Sequence, residues 1–324
     1  MKNLVAIIAG DPESINTEII AKAWKKKIYF NKTKIFVIGN FKLIKKQLQA
    51  IKIPLKIQKV NHIPYSNYTK KLIVLDVPLK FKNCFQINKR EKSKYIKDCF
   101  KIGVDLAKKR KVLGIINCPI NKKDLFGNKN IGVTEFLAKK DGRLGKEAMI
   151  IYNKKLSVSP ITTHIKLNSV SKKISKKKIT NKLTSINNFF LKLRKKKPKI
   201  GVLGLNPHNY ELKRGSEEKK IIIPAIKEIK KKRIMAYGPL PTDTAFSNYE
   251  EKKYDVLVGM YHDQVLSAFK ALFKFDGINI TAGLSFIRVS PDHGTGEDII
   301  KKNIANPSSL IETIKFFNNK NVKI

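Results

Sequence analysis

The sequence has little of several things, and each shortage excludes something. Cysteine occurs three times in 324 residues, as Cys84, Cys99 and Cys118. Their spacing fits neither a disulfide framework nor a zinc module, so they read as buried or incidental thiols of a reducing, cytoplasmic compartment. No run of 18 apolar residues exists, which excludes an ordinary membrane-spanning helix. The apolar start, Leu4–Ala9, runs into Gly10-Asp11-Pro12 without a small-residue cleavage site. It reads as a first strand rather than a secretory leader. Arginine is scarce, seven of 68 basic residues, although the net charge is +43. Base and phosphate readout favours arginine, and the lysines are spread over the whole chain. A nucleic acid is therefore not the expected primary partner, and the positive field is suited to capturing small anions. No G-x-G-x-x-G follows a strand, so the usual dinucleotide fingerprint is missing.

Short apolar runs alternate with amphipathic stretches, which predicts a layered α/β fold. Strands are expected at Leu4–Ala9, Ile35–Ile38, Leu72–Val77, Val112–Ile116, Ala148–Tyr152, Ser157–Thr163, Lys199–Leu205 and Asp255–Met260. Helices are expected after Thr17 as N-cap and at Phe41–Gln49, Glu91–Lys109, Lys176–Lys195, Ile221–Lys231 and Ser308–Phe317. The acidic pair Glu217-Glu218 suits the N-terminal end of one helix dipole. Lysine runs such as Lys176-Lys177-Lys178 and Lys230-Lys231-Lys232 read as solvated helix faces.

Polar residues cluster just beyond the expected strand ends, where ligands bind in open α/β sheets. Of five histidines, His164, His208 and His262 closely follow such strands. Neutral imidazoles suit a divalent transition metal and leave positions for substrate, although each taken alone reads as an ordinary histidine. Asp243 and Asp263 are candidates for proton transfer or metal support. Lys270, Asn279 and Arg288 can hold a phosphate or carboxylate. Arg288 is the more informative, a rare arginine in the apolar setting Phe286-Ile287-Arg288-Val289. The segment from Asp292 to Asp298, followed by Ala305-Asn306-Pro307, reads as a turn entering a helix whose amides can meet a nucleotide.

Six ordered motifs together resemble the 4-hydroxythreonine-4-phosphate dehydrogenase family. They are Thr162-Thr163-His164, Gly204-Leu205-Asn206-Pro207-His208, Gly238 to Thr244, Met260-Tyr261-His262-Asp263-Gln264, Asn279-Ile280-Thr281 with Gly283-Leu284, and Phe286-Ile287-Arg288. His293-Gly294-Thr295 through Asn306-Pro307 is similar to the adenosine loop of the isocitrate and isopropylmalate dehydrogenases, which bind their cofactor without a Rossmann fingerprint.

The resemblance implies a two-domain layered α/β fold of that type, with residues 1–324 forming one two-lobed unit. It implies a homodimer with shared active sites in interdomain clefts. The implied metal ligands are His164, His208 and His262, for one zinc, magnesium or cobalt ion. Thr134, Lys270, Asn279 and Arg288 are the implied substrate residues. Asp243 is the acid expected to assist proton transfer. His293, Gly294, Thr295, Asp298 and Asn306 would meet NAD or NADP. The implied reaction oxidises 4-phosphohydroxy-L-threonine to a β-keto acid, which decarboxylates to 3-amino-2-oxopropyl phosphate in pyridoxal phosphate biosynthesis. Alternatives are a related enzyme acting on a threonate or erythronate phosphate, or a homologue with weakened catalysis. Two departures bear on that choice. Val133-Thr134-Glu135 stands where the family has His-Thr-Glu, and Glu13-Ser14-Ile15-Asn16 replaces a glycine-rich loop, so positive φ or close backbone approach is not expected there.

Overall fold

The computed structural model describes residues 3–64, 70–126, 132–274, 276–319 and 321–322. The chain divides into two compact units, Met1–Lys129 with Phe286–Ile324, and Asn130–Ser285.

The first unit starts with β1 (Leu4–Ile8), α1 (Asn16–Lys25), β2 (Lys34–Gly39), α2 (Phe41–Ala50), β3 (Ile57–Val60) and β4 (Leu72–Asp76). It continues through α3 (Lys89–Lys108), β5 (Gly114–Asn117) and α4 (Lys122–Phe126). The second unit holds α5 (Val133–Lys140), β6 (Ala148–Tyr152), β7 (Ser157–Pro160), α6 (Val170–Lys173), α7 (Lys176–Arg194) and β8 (Ile200–Leu203). Then come α8 (Ile223–Lys231), β9 (Ala236–Leu240), α9 (Thr242–Ala245), β10 (Val256–Gly259), α10 (His262–Phe273) and β11 (Ile278–Ala282). The chain returns to the first unit with β12 (Arg288–Pro291) and α11 (Ser308–Phe316).

In the first unit the strands run β3-β4-β2-β1-β5-β12, every neighbouring pair parallel. Parallel strands are covered on both faces, and every residue of β1 is accordingly buried. In the second unit the order is β11-β6-β7-β10-β8-β9. The β11-β6-β7 part is antiparallel, and β7, β10, β8 and β9 are parallel. Its core joins Met149 and Ile151 of β6, Val158, Leu203 and Leu257 of the parallel strands, and Val265 and Phe269 of α10. Val265 and Phe269 are four residues apart on one face of α10, so their burial seats that helix on the sheet.

Every strand and helix expected from the sequence is present, with ends shifted by a few residues. The layered α/β fold is thus observed directly. Two local readings, the Thr17 cap and the exposure of Lys178, need correction. Thr17 does not cap α1, which starts at Asn16 with no side-chain cap; the Thr17 hydroxyl bonds Gln47 instead. As expected, the segment from Asp292 through Pro307 is a turn, with a 3₁₀ stretch at Glu297–Ile299, that enters its helix at Ser308. Lys178 is half-buried, unlike its exposed neighbours Lys176 and Lys177. The thiols of Cys99 and Cys118 are buried, which pushes their pKa values up and leaves them unreactive. No described helix is long and apolar enough to cross a membrane.

Candidate active site

Strand register explains how two of the three histidines meet. β7 and β10 are parallel, with Pro160 opposite Gly259. Beyond them the pairing continues, because Ile161 N donates to Gly259 O and Thr162 N to Met260 O. The Thr162 hydroxyl adds a 2.7 Å bond to the same Met260 carbonyl. His164 and His262 therefore leave adjacent strand ends at nearly the same height. Their ring centroids stand 5.7 Å apart, tilted by 39°. Two imidazole nitrogens on one tetrahedral zinc lie roughly 3.4 Å apart, so ring centres somewhat over 5 Å apart suit a shared cation. Asp263 Oδ1 is 2.7 Å from His262 Nδ1. A proton held there leaves the Nε2 lone pair for a metal.

His208 follows β8, the other parallel neighbour of β10. Its Nε2 lies 3.5 Å from Asp243 Oδ2 on α9. The His208 side chain is 77% exposed and that of Asp243 56%, so both remain open to solvent. The backbone carrying His208 is unusual. His208, Asn209, Tyr210, Glu211 and Leu212 all have φ between 46° and 57°. Five consecutive left-handed residues without a glycine cost about 1–2 kcal/mol each. Such a turn persists only when its surroundings hold it.

The restraint comes from Glu218, which is fully buried. Its Oε1 accepts from Leu205 N and Asn206 N, each at 2.8 Å, and its Oε2 accepts from Asn206 Nδ2 at 3.1 Å. Burial alone would raise the Glu218 pKa, but the bonds from the Asn206 backbone and side chain outweigh it and hold the carboxyl below the usual range. Glu218 thus stands in the first turn of the helical stretch Glu218–Ile222, as read from the sequence, and in addition holds the loop before His208. On the other side, the Asn209 amide donates to Pro239 O at 3.2 Å. Gly204 permits this packing, since a Cβ there would stand 2.0 Å from Asn209 Oδ1.

Thr134 lies on α5, and its hydroxyl is 3.4 Å from that of Thr281 on β11. Asn279, two residues earlier, shares that face of β11. Its Oδ1 is buried with no hydrogen-bond partner among the described residues. Glu135 accepts from the Thr163 hydroxyl at 3.3 Å, one residue before His164. The sequence reading assigned Glu135 no role. Lys270 lies eight residues along α10 from His262, roughly 12 Å by helical rise. Val133 is buried at the start of α5.

The remaining candidates belong to the first unit. Arg288 opens β12, is 3% exposed, and donates from Nε to Asn117 Oδ1 at 2.6 Å. Thr295 O accepts from Ile15 N, and Gly296 with φ +63 packs against Ile15. His293 Nδ1 lies 2.9 Å from Gly294 O, and its Nε2 is buried with no partner among the described residues. Burial lowers the His293 pKa, which keeps the ring neutral. Asp298 is exposed in the 3₁₀ turn, and Asn306 Oδ1 accepts from Ser308 N. Helix α1 holds the loop before Asn306, through Glu18 on Ala305 N and Lys22 on the carbonyls of Asn303 and Ala305.

In the altered N-terminal loop none of Glu13–Asn16 has positive φ. Glu13 instead pairs with Lys92 at 2.6 Å, and Asn16 donates to Pro119 O at 2.8 Å. Buried Asp11 accepts from Glu13 N and Asn121 N, so the loop is held without glycine.

The second unit thus brings His164 to His262 and His208 to Asp243. Among the described residues of this single chain, no three His, Cys, Asp or Glu side chains converge closely enough to hold a metal. The donor chemistry still fits a divalent ion: a close imidazole pair, a carboxylate orienting one ring, and a third imidazole open to solvent.

Residues 31–317 match the family described as pyridoxal phosphate biosynthetic protein PdxA. A 4-hydroxythreonine-4-phosphate dehydrogenase of Sulfurihydrogenibium is 39% identical, over 96% of both chains. A D-threonate 4-phosphate dehydrogenase of Salmonella typhimurium is 35% identical, covering 96% of this chain and 97% of its own. The solved structure of a putative 4-hydroxythreonine-4-phosphate dehydrogenase from Salmonella typhimurium superposes with TM-score 0.88 at 33% identity, over 98% of this chain and 99% of that one. With matches of this extent along nearly its full length, the chain belongs to the PdxA family of dehydrogenases.

Proposed function

We propose that the protein oxidises 4-phosphohydroxy-L-threonine with NAD or NADP, and that the resulting β-keto acid loses carbon dioxide to give 3-amino-2-oxopropyl phosphate for pyridoxal phosphate synthesis. The observation that carries this reading is the His164–His262 pair at 5.7 Å, set by strand register in a chain of this family. His164, His208 and His262 are the proposed ligands of one zinc, magnesium or cobalt ion, with the set completed in a homodimer. When bound, the metal supplies Lewis acidity at the substrate's hydroxyl and the nicotinamide accepts the hydride. Asp263 orients the His262 ring. Asp243, beside His208, takes part in moving the hydroxyl proton. Thr134, Lys270 and Asn279 position the substrate, and Asn279 Oδ1, unpartnered among the described residues, supports a polar ligand there. Arg288 binds its anionic end. His293, Gly294, Thr295, Asp298 and Asn306 receive the nucleotide.

A second reading has a specific basis. The family includes relatives named for D-threonate 4-phosphate, and Val133 removes a hydrogen-bonding side chain beside Thr134. Purified protein supplied with NAD or NADP and each metal, and offered 4-phosphohydroxy-L-threonine or D-threonate 4-phosphate, separates the two. Preferred turnover of the first supports the proposal. Turnover of the second alone replaces it, and metal binding without turnover of either marks a homologue that has lost catalysis.

A further inference from the structure

Gln264 is third in α10, two residues after His262. In a capping box the third helical residue bonds back to the cap's own N–H. Here the side chain reaches one residue further: Oε1 accepts from Met260 N at 2.6 Å. Both amide protons are also used. Nε2 donates to Gly204 O at 2.7 Å and to the Thr242 hydroxyl at 2.9 Å. The residue is 8% exposed. One buried amide therefore ties together three segments at the ends of neighbouring strands, just past the last β8–β10 ladder pair. They are the exit of β10 before His262, the exit of β8 before the left-handed turn of His208, and the start of α9 beside Asp243.

We propose that Gln264 is a positioning residue that sets the spacing of His262, His208 and Asp243, and with it the affinity of the site for a divalent cation. The chemistry is specific to an amide. A carboxylate of the same shape keeps the acceptor for Met260 but loses both donors, and sets a lone pair against the Gly204 carbonyl. An apolar chain of similar volume loses all three bonds and leaves a buried N–H and C=O unsatisfied.

The inference rests on the metal reading of the histidines, and the test keeps the two apart. Gln264→Glu and Gln264→Leu are compared with the unaltered protein by backbone hydrogen exchange without metal and by titration with Co²⁺. Gln264→Glu should keep protection at residues 260–262 and lose it at 204–206 and 242–244. Gln264→Leu should lose it at all three. Both variants should bind Co²⁺ about 10–100-fold more weakly, with circular dichroism unchanged. Equal loss at all three segments in the two variants, or unaltered exchange in both, overturns the clamp. Loss of exchange protection with unaltered Co²⁺ affinity overturns its role in metal binding. If the unaltered protein takes up no Co²⁺, the metal reading fails, while the exchange pattern still decides the clamp.

Discussion

His164 and His262 face each other at 5.7 Å because β7 and β10 leave the sheet side by side and in register. Asp263, at 2.7 Å from His262 Nδ1, then fixes which nitrogen faces the pair. Asp263→Asn keeps the shape and removes the charge. Metal affinity should fall 10–100-fold, as for other carboxylates that orient a ligand histidine, at about the same thermal stability. Titration with Zn²⁺ or Co²⁺ checks this; unaltered affinity would remove Asp263 from the site.

The loop before His208 depends on the Glu218 carboxylate. Glu218→Gln should cost about 1.5–3 kcal/mol near neutral pH, the worth of hydrogen bonds to a charged group. The sign with pH follows from the lowered folded-state pKa. The unfolded carboxyl titrates in the ordinary range, so the stabilisation is complete above it. It disappears as pH falls through the depressed folded-state value. Urea midpoints of the two proteins should converge in acid, and parallel curves would contradict the assignment.

Val133 stands beside Thr134 at the start of α5, where the resemblance leads one to expect histidine. If 4-phosphohydroxy-L-threonine is the substrate, Val133→His should lower its KM by roughly tenfold or more, the effect of one hydrogen bond to an ionic ligand. Steady-state kinetics on both candidate substrates read this. A gain confined to D-threonate 4-phosphate would favour the second reading.

Phe269 is wholly buried and seats α10 on the sheet. Phe269→Ala should destabilise the second unit by about 3–5 kcal/mol. Urea unfolding followed by hydrogen exchange should place the loss in residues 130–285. A cost under 1 kcal/mol would mean that α10 is held by other contacts.

The strands that deliver the histidines were legible because each is a short apolar run with a polar group directly after it. β3 was not, since Ile57-Gln58-Lys59-Val60 is half-buried and lacks a clean pattern. β9 was hidden by Gly238-Pro239, and it lies at the end of the strand order, where proline in a strand is tolerated. β11 alternates clearly as Ile-Asn-Ile-Thr-Ala, but the stretch was read for its binding residues rather than its period. The left-handed turn at His208 leaves little trace in the sequence, because Tyr210, Glu211 and Leu212 have no preference for that conformation. Its restraint comes from Glu218 and Asn209 through contacts that spacing does not reveal. The roles of Gln264 and Glu218 were missed for the same reason: each also bonds a segment well outside its own helix, Gly204 and Thr242 for Gln264 and Leu205-Asn206 for Glu218.

The central claim is that the three histidines form one metal site that the dehydrogenase reaction requires. The direct measurement is reduced-nicotinamide formation from 4-phosphohydroxy-L-threonine by chelator-treated protein, as Co²⁺ or Zn²⁺ is added back, for the unaltered chain and for His164→Ala, His208→Ala and His262→Ala. The account predicts activity that rises with metal occupancy in the unaltered protein and is lost in all three variants, each of which should also bind the ion more weakly. Undiminished turnover after complete metal removal, or in any of the three variants, would contradict it.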